Sequence, residues 1–158
     1  MFSDSQSISE FQEEQKSLKL NFQQIDFNYL LFQGLRYYEE RNMQKAIVNF
    51  EKLLKKKGLN AQTKALMLGN LGVLYFYKFD HKAATERLES ALGIVQKTKE
   101  ILKTPGGRSL ALKLLANMCI ISIATNNFKN AKSFNNRALN LIQNEPNLKN
   151  KSQLMEEL

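Results

Sequence analysis

Apolar residues recur three and four positions apart along most of the chain, and this spacing predicts helices. No stretch shows the strict alternation of apolar and polar residues that indicates a strand. Only two prolines, Pro105 and Pro146, interrupt the pattern, so long segments are free to be helical. The sequence therefore predicts an all-α protein.

The pattern divides the chain into a leader, three helix pairs and a tail. Residues 1–26 form an amphipathic leader, expected to be helical, whose stripe contains Ile8, Phe11, Leu18, Phe22 and Ile25. Such a helix needs a surface to lie on, and we expect it to cover either a binding groove or the exposed edge of the first helix pair. Residues 144–158 follow the Asn-Glu-Pro-Asn break and form either a C-terminal tail or a short capping helix.

The central region, residues 27–143, is predicted to fold as three helix pairs. Gly58 is the expected stop of the first pair, Asn60 the cap of the second, and Thr104-Pro105-Gly106-Gly107 a turn before the third. Residues 97–103 are expected to extend the second helix of the middle pair. The pairs cover residues 27–58, 61–103 and 108–143, and their internal breaks are Arg41-Asn42, Phe79-Asp80 and Asn126-Asn127.

A repeated spacing links the three pairs. In each, a small residue of the first helix precedes an alanine of the second by 12 positions: Gly34 and Ala46, Gly72 and Ala84, Cys119 and Ala131. Four residues after each alanine stand Phe50, Leu88 and Asn135. Small residues allow two helices to approach closely, and a large apolar residue covers the contact. We therefore expect the same helix crossing three times.

These residues resemble the tetratricopeptide repeat, with its L-G-x2-Y and A-x3-F pattern. The middle pair matches best, through Leu68, Leu71, Gly72, Tyr75, Ala84, Leu88 and Ala91. The third pair departs from it, since Ser122 and Asn135 replace bulky residues. The spacings between small residues, 38 from Gly34 to Gly72 and 47 from Gly72 to Cys119, also exceed the family period of about 34.

The resemblance implies an α-α superhelix of about three helix hairpins with extra N- and C-terminal helical segments. In that family the first helix of each repeat lines a concave groove that receives a peptide or helix. The expected groove residues are Leu31, Phe32, Leu35, Tyr38, Asn70, Val73, Phe76, Tyr77, Lys113, Asn117 and Ile120. Only Asn70 and Lys113 match the family's carboxylate clamp, so clamp function is not expected.

Length, cysteine content and charge limit the number of domains, the cellular location and the chemistry of the partners that we expect. A chain of 158 residues suits one domain, and its single cysteine cannot form an internal disulfide, so we expect an intracellular protein. The expected location is the cytoplasm, with a ciliary or organellar assembly as the alternative, and no membrane span is expected. A net charge of +8 favours acidic partners, nucleic acid or anionic lipid without choosing among them.

Candidate catalytic groups do not converge. His81 is interpreted as an exposed ring beside a capping Asp80, and Cys119 as a buried small hydrophobe in the third repeat. Adjacent carboxylates such as Glu39 and Glu40 diverge on a helix, and the Pro-Gly-Gly-Arg segment lacks the residues of a phosphate loop. We expect no enzyme, no cofactor and no metal site.

The predicted function is therefore a non-enzymatic protein–protein interaction module, a scaffold or adaptor subunit of a multiprotein complex that binds a partner helix or peptide in its groove. The alternative is nucleic-acid binding through surface lysines such as Lys52, Lys55, Lys56 and Lys57.

Overall fold

The computed structural model describes residues 12, 13 and 27–144. Within that part every regular element is a helix, which confirms the all-α prediction. The chain divides into two compact units, Met1–Lys56 and Lys57–Leu158. Apart from Gln12 and Glu13, which are helical and exposed, the predicted leader lies outside the described residues, as does the tail beyond Asn144.

The first unit contains a helical hairpin. Helix α1 is described over residues 27–39, and α2 spans Met43–Leu54. A Cβ added to Gly34 would lie 3.2 Å from the Phe50 ring, so the two helices meet at the predicted pair of small and large residues. Apolar residues of α2 form the buried side of this hairpin: Ala46, Ile47, Phe50 and Leu53.

The second unit contains four α-helices and one short 3₁₀ helix. Their bounds are α3 Ala61–Tyr77, α4 His81–Lys97, the 3₁₀ helix Lys99–Lys103, α5 Pro105–Ala124 and α6 Phe128–Gln143. Helix α5 packs against α3, α4, α6 and the 3₁₀ helix. The largest fully buried side chains of this core are Met67, Leu71, Leu74, Leu88 and Leu114.

Three tight turns of the same design close the hairpins. Each has one residue with positive φ followed by an Asn or Asp whose side chain caps the next helix. The backbone N–H of that capping residue donates to a carbonyl five residues earlier, at 2.7 to 3.0 Å. The turns are Arg41-Asn42, Phe79-Asp80 and Asn126-Asn127, at the predicted breaks.

The connection between α4 and α5 differs from the sequence prediction. Helix α4 ends at Lys97 instead of extending to residue 103, and Pro105 starts α5 instead of forming a turn. Proline suits the first helical position, where its missing N–H has no intrahelical acceptor. The hydroxyl of Thr104 accepts a hydrogen bond of 3.1 Å from the N–H of Gly107 and so caps the helix. The third pair therefore begins at Pro105, three residues earlier than predicted.

Gly58 also has a different place from the one predicted. Helix α2 ends at Leu54, and its last carbonyls are followed by Lys55 in a right-handed conformation. Gly58 lies beyond them, in the connection to α3, with a φ of 82° that L-residues rarely adopt. It therefore shapes the connection and does not stop the helix. The predicted cap Asn60 is confirmed, since its side chain accepts a 2.8 Å hydrogen bond from the N–H of Thr63.

Helix α5 is long and apolar enough, by length and composition, to cross a membrane. In this fold many of its apolar residues are buried against the other helices. They include Leu110, Leu114, Leu115, Met118 and Ile121. A helix that packs against several neighbours is apolar around much of its circumference. In this fold these residues of α5 therefore belong to the core of the second unit.

Candidate functional site

Helices α3 and α5 lie side by side and run in the same direction. A Cβ added to Gly106 would lie 3.5 Å from Nε2 of Gln62, and one added to Gly69 would lie 2.8 Å from Cδ2 of Leu114. The sequence offsets of these pairs are 44 (106 minus 62) and 45 (114 minus 69), so positions advance together along both helices. The carboxyl ends of α3 and α5 therefore lie at the same end of the unit.

A stripe of partly exposed residues runs along each of these helices. On α3 it contains Leu66, Asn70, Val73 and Tyr77, spaced by four, three and four residues, which places them on one helical side. On α5 it contains Lys113, Asn117 and Ile120. Tyr77 and Ile120 are 52% and 51% exposed, while Asn70, Val73 and Asn117 are half-buried. We call these seven residues the α3–α5 face.

The first residue of each stripe lines a cleft between the amino-terminal parts of α3 and α5. It has a volume of about 490 Å³. Leu66 and Lys113 both line it, which shows that the stripes open on the same side. The remaining lining residues are Asn60, Gln62, Thr63, Gly106, Ser109 and Leu110. The cleft thus offers amide, hydroxyl and ammonium groups beside a leucine.

Leu66 was missed by the sequence prediction. It is 41% exposed and stands four residues before Asn70, one turn along the same stripe. Extending the predicted stripe backwards by one turn would have found it.

The predicted residues of α1 lie in the first unit. Phe32, Leu35 and Tyr38 are 64%, 44% and 38% exposed, while Leu31 is half-buried. Tyr29, which the sequence prediction did not include, is 59% exposed and lies one turn before Phe32. Helix α1 therefore has an aromatic exposed side of its own.

Phe76 is turned toward the start of α4. Its ring centroid lies 5.4 Å from that of His81, and both residues are half-buried. The interpretation of His81 as an exposed ring is therefore wrong, because the aromatic ring of Phe76 covers it. The capping role of Asp80 is confirmed, since its carboxylate accepts a 3.0 Å hydrogen bond from the N–H of Ala83.

The free thiol of Cys119 is half-buried, although the repeat pattern predicted a fully buried position. The corresponding glycines, Gly34 and Gly72, are both buried. Asn135, at the sequence position that corresponds to Phe50 and Leu88, is itself exposed.

Titratable groups of the described residues do not converge on one point. Glu40 accepts a 2.8 Å hydrogen bond from Nε of Arg36, one turn away on an exposed surface, and this hydrogen bond raises the pKa of Arg36 above its usual value. No group of three or more His, Cys, Asp or Glu residues that could hold a metal ion occurs among the described residues.

The helices of the α3–α5 face contain no acidic residue. In the second unit, residues 57–79 and 101–144 contain no Asp or Glu, and these ranges include all of α3, α5 and α6. The acidic residues of the second unit's described part are on or next to α4 and the 3₁₀ helix: Asp80, Glu86, Glu89 and Glu100. The charged side chains of α3 and α5 are therefore all basic.

The sequence matches no family model, no curated protein and no solved structure. The resemblance to the tetratricopeptide repeat therefore remains a prediction from the residues quoted above.

Proposed function

We propose that the chain is a non-enzymatic interaction module, a scaffold or adaptor subunit of an intracellular complex, and that it binds a partner helix or extended segment along the α3–α5 face. The observation that carries the proposal is the pair of parallel, partly exposed stripes, whose first residues, Leu66 and Lys113, line one cleft. Parallel helices separated by one groove offer anchor positions at helical spacing, which an amphipathic helix can occupy.

The side chains of the face have complementary uses. Leu66, Val73, Tyr77 and Ile120 supply apolar area, and each can gain only part of the about 1.5–3 kcal/mol that full burial of an exposed apolar side chain provides, because each is already partly buried. Asn70, Asn117 and Lys113 supply donors that orient the partner. Affinity then comes mainly from the apolar residues, and specificity from the polar ones.

A tetratricopeptide-like superhelix is the finer fold that we propose. Two of its features are supported here: the close crossing at Gly72, where a Cβ would lie 2.6 Å from Cγ of Leu88, and the recurring capped turn. In such a superhelix the first helices of successive repeats line the concave side. Helices α3 and α5 hold that place in the proposed repeats.

Matched substitutions test the proposal. Ile120→Glu and Leu66→Glu place a charge on the α3–α5 face, whereas Leu139→Glu places one on α6, where Leu139 is 46% exposed. We expect partners captured by the wild-type chain to be lost from both face variants and retained by the α6 variant, because a buried unpaired carboxylate opposes binding. Phe32→Glu tests the exposed side of α1 in the same way.

Circular dichroism of each variant checks that the helices are intact. We expect them to be, since all four substituted positions are exposed. Partners retained by Ile120→Glu, Leu66→Glu and Phe32→Glu alike would reject these surfaces as the binding site.

Nucleic-acid binding is the second candidate, and the absence of acidic residues from residues 52–79 and 101–144 favours it. Affinity carried by phosphate contacts falls steeply as salt rises. Titration with single-stranded DNA and RNA at several salt concentrations tests it, and a chain that binds neither at low salt has no such function.

A further inference from the structure

A second exposed apolar surface lies at the hairpin turns of the second unit. Phe79 is 85% exposed, Phe128 is 64% exposed and Ile123 is 51% exposed. Phe79 follows α3, Ile123 belongs to the last turn of α5, and Phe128 is the first residue of α6. We call these three residues the hairpin-tip surface. It shares no residue with the α3–α5 face.

The parallel direction of α3 and α5 places both turns at one end of the unit. Helices α3 and α5 run in the same direction, so the turns that follow Tyr77 and Ala124 lie at the same end of the unit. The turn after α3 carries Phe79, and the turn after α5 leads directly to Phe128. The two phenylalanines therefore project from the same end.

Phe79 has an unfavourable backbone conformation for a bulky residue. Its φ is 61°, in the left-handed region that glycine and asparagine tolerate best. The other two turns place Arg41 and Asn126 at this position, both polar. Phe79 gains little packing in return, since 85% of it is exposed. The backbone strain at Phe79 is not offset by packing of its side chain within the unit, which points to a contact of this side chain outside the unit.

Three lysines lie close to the turns in the sequence. Lys78, Lys82 and Lys129 are within two residues of a turn, and all are exposed. The one acidic residue at these turns, Asp80, is engaged in capping α4. The tips therefore combine exposed aromatic rings with nearby lysines.

We propose that the hairpin-tip surface docks onto an anionic lipid surface, with Phe79 and Phe128 inserted at the interface and the lysines beside the headgroups. Protruding rings flanked by lysines suit a bilayer, because apolar side chains enter the acyl boundary while ammonium groups stay at the headgroups. A partner helix instead requires a groove, such as the cleft between the amino-terminal parts of α3 and α5.

The test is co-sedimentation of the full chain with vesicles of phosphatidylcholine, with and without about 30% phosphatidylserine. We expect binding only to the anionic vesicles. Phe79→Asn places at this turn the residue found at the same position of the third turn, Asn126, which tolerates a positive φ. A loss of vesicle binding in this variant is therefore not caused by unfolding. Combined with Phe128→Ser, it should lower vesicle affinity by about tenfold or more, because two insertable rings are lost.

Leu139→Ser is the matched control, since Leu139 is 46% exposed on α6 but lies three turns from Phe128. It should bind anionic vesicles like the wild type. Phe79→Trp gives a direct readout, and its emission should shift to shorter wavelength only when anionic vesicles are added.

Wild-type protein that does not sediment with anionic vesicles overturns the proposal. Binding that persists in the double variant also overturns it, since the basic surface alone would then suffice. If the tip variants instead lose binding to an acidic helical peptide while vesicles never bind, the surface recognises protein and the lipid assignment is wrong. None of these outcomes depends on partner binding at the α3–α5 face.

Discussion

At the scale of single residues, two glycines determine how closely helices cross. Gly34 contacts Phe50 in the first unit, and Gly72 contacts Leu88 in the second. In each pair the two residues are 16 positions apart in the sequence. At Gly72 a Cβ would also lie 3.3 Å from the carbonyl oxygen of Ala84, so backbone as well as side chain limits the space. The spacing found in the sequence therefore corresponds to real helix contacts at two of its three occurrences.

Gly72→Ala should lower the free energy of unfolding by about 1–3 kcal/mol, because Leu88 must leave its packed rotamer to admit the methyl group. Gly93→Ala is the control. Gly93 lies within α4 with no atom within 4 Å of an added Cβ, so alanine should raise the free energy by about 0.5–1 kcal/mol. Urea denaturation measures both, and equal effects at the two sites would contradict the tight crossing.

At the scale of elements, the start of α5 depends on a proline, a threonine and a glycine with different roles. Pro105 opens the helix, Thr104 caps it, and Gly107 lies so close to the 3₁₀ helix that an added Cβ would overlap the carbonyl oxygen of Ile101. The sequence predicted a turn for the whole of Thr104 to Gly107. The requirement for glycine at position 107 comes from the nearby carbonyl of Ile101, whose position depends on tertiary structure.

Gly107→Ala should lower the free energy of unfolding by about 2–3 kcal/mol, because a backbone carbonyl cannot move aside as a flexible side chain can. Gly106→Ala meets only Nε2 of Gln62 at 3.5 Å, an ordinary contact, and should leave stability unchanged or slightly raised. Thermal unfolding followed by circular dichroism compares the two. A Gly106 variant weaker than the Gly107 variant would refute this description of the helix start.

The capped turns are a second feature at this scale. Asp80→Ala removes the acceptor for the N–H of Ala83 and should lower the free energy of unfolding by about 1 kcal/mol. Asp80→Asn keeps an acceptor and should restore most of that loss, as Asn42 and Asn127 cap the other hairpins. Denaturation midpoints provide the measurement, and an alanine variant as stable as the asparagine variant would show that the cap contributes nothing.

At the scale of the whole molecule, the chain divides between Lys56 and Lys57. The connection from Lys55 to Asn60 contains no helix, and Lys55 and Lys57 are exposed. Each unit has buried apolar residues of its own, such as Phe50 in the first and Leu88 in the second. The second unit has the elements of an independently folded body.

Limited trypsin digestion should therefore cut early at Lys55, Lys56 or Lys57 and leave a fragment that begins at or near Gly58. Lys64 is the internal comparison, because it is exposed yet lies within α3, where the helix must open before cleavage. Mass spectrometry of early products identifies the sites. Cleavage within α3 to α6 before the connection is cut would contradict an independently folded second unit.

The sequence alone determined the helices of the described region, the breaks between them and the glycine spacing, because periodicity, caps and turns depend on neighbouring residues. Asn60, Asp80 and the three hairpin breaks were all predictable for this reason. The start of α5 at Pro105 also follows a local rule, which the prediction did not apply, since proline suits the first helical position. Tertiary structure decided the need for glycine at position 107, the turning of Phe76 toward His81 and the exposed end at Phe79 and Phe128. Each of these depends on which helices lie side by side, and α3 meets α5 through residues more than 40 positions apart.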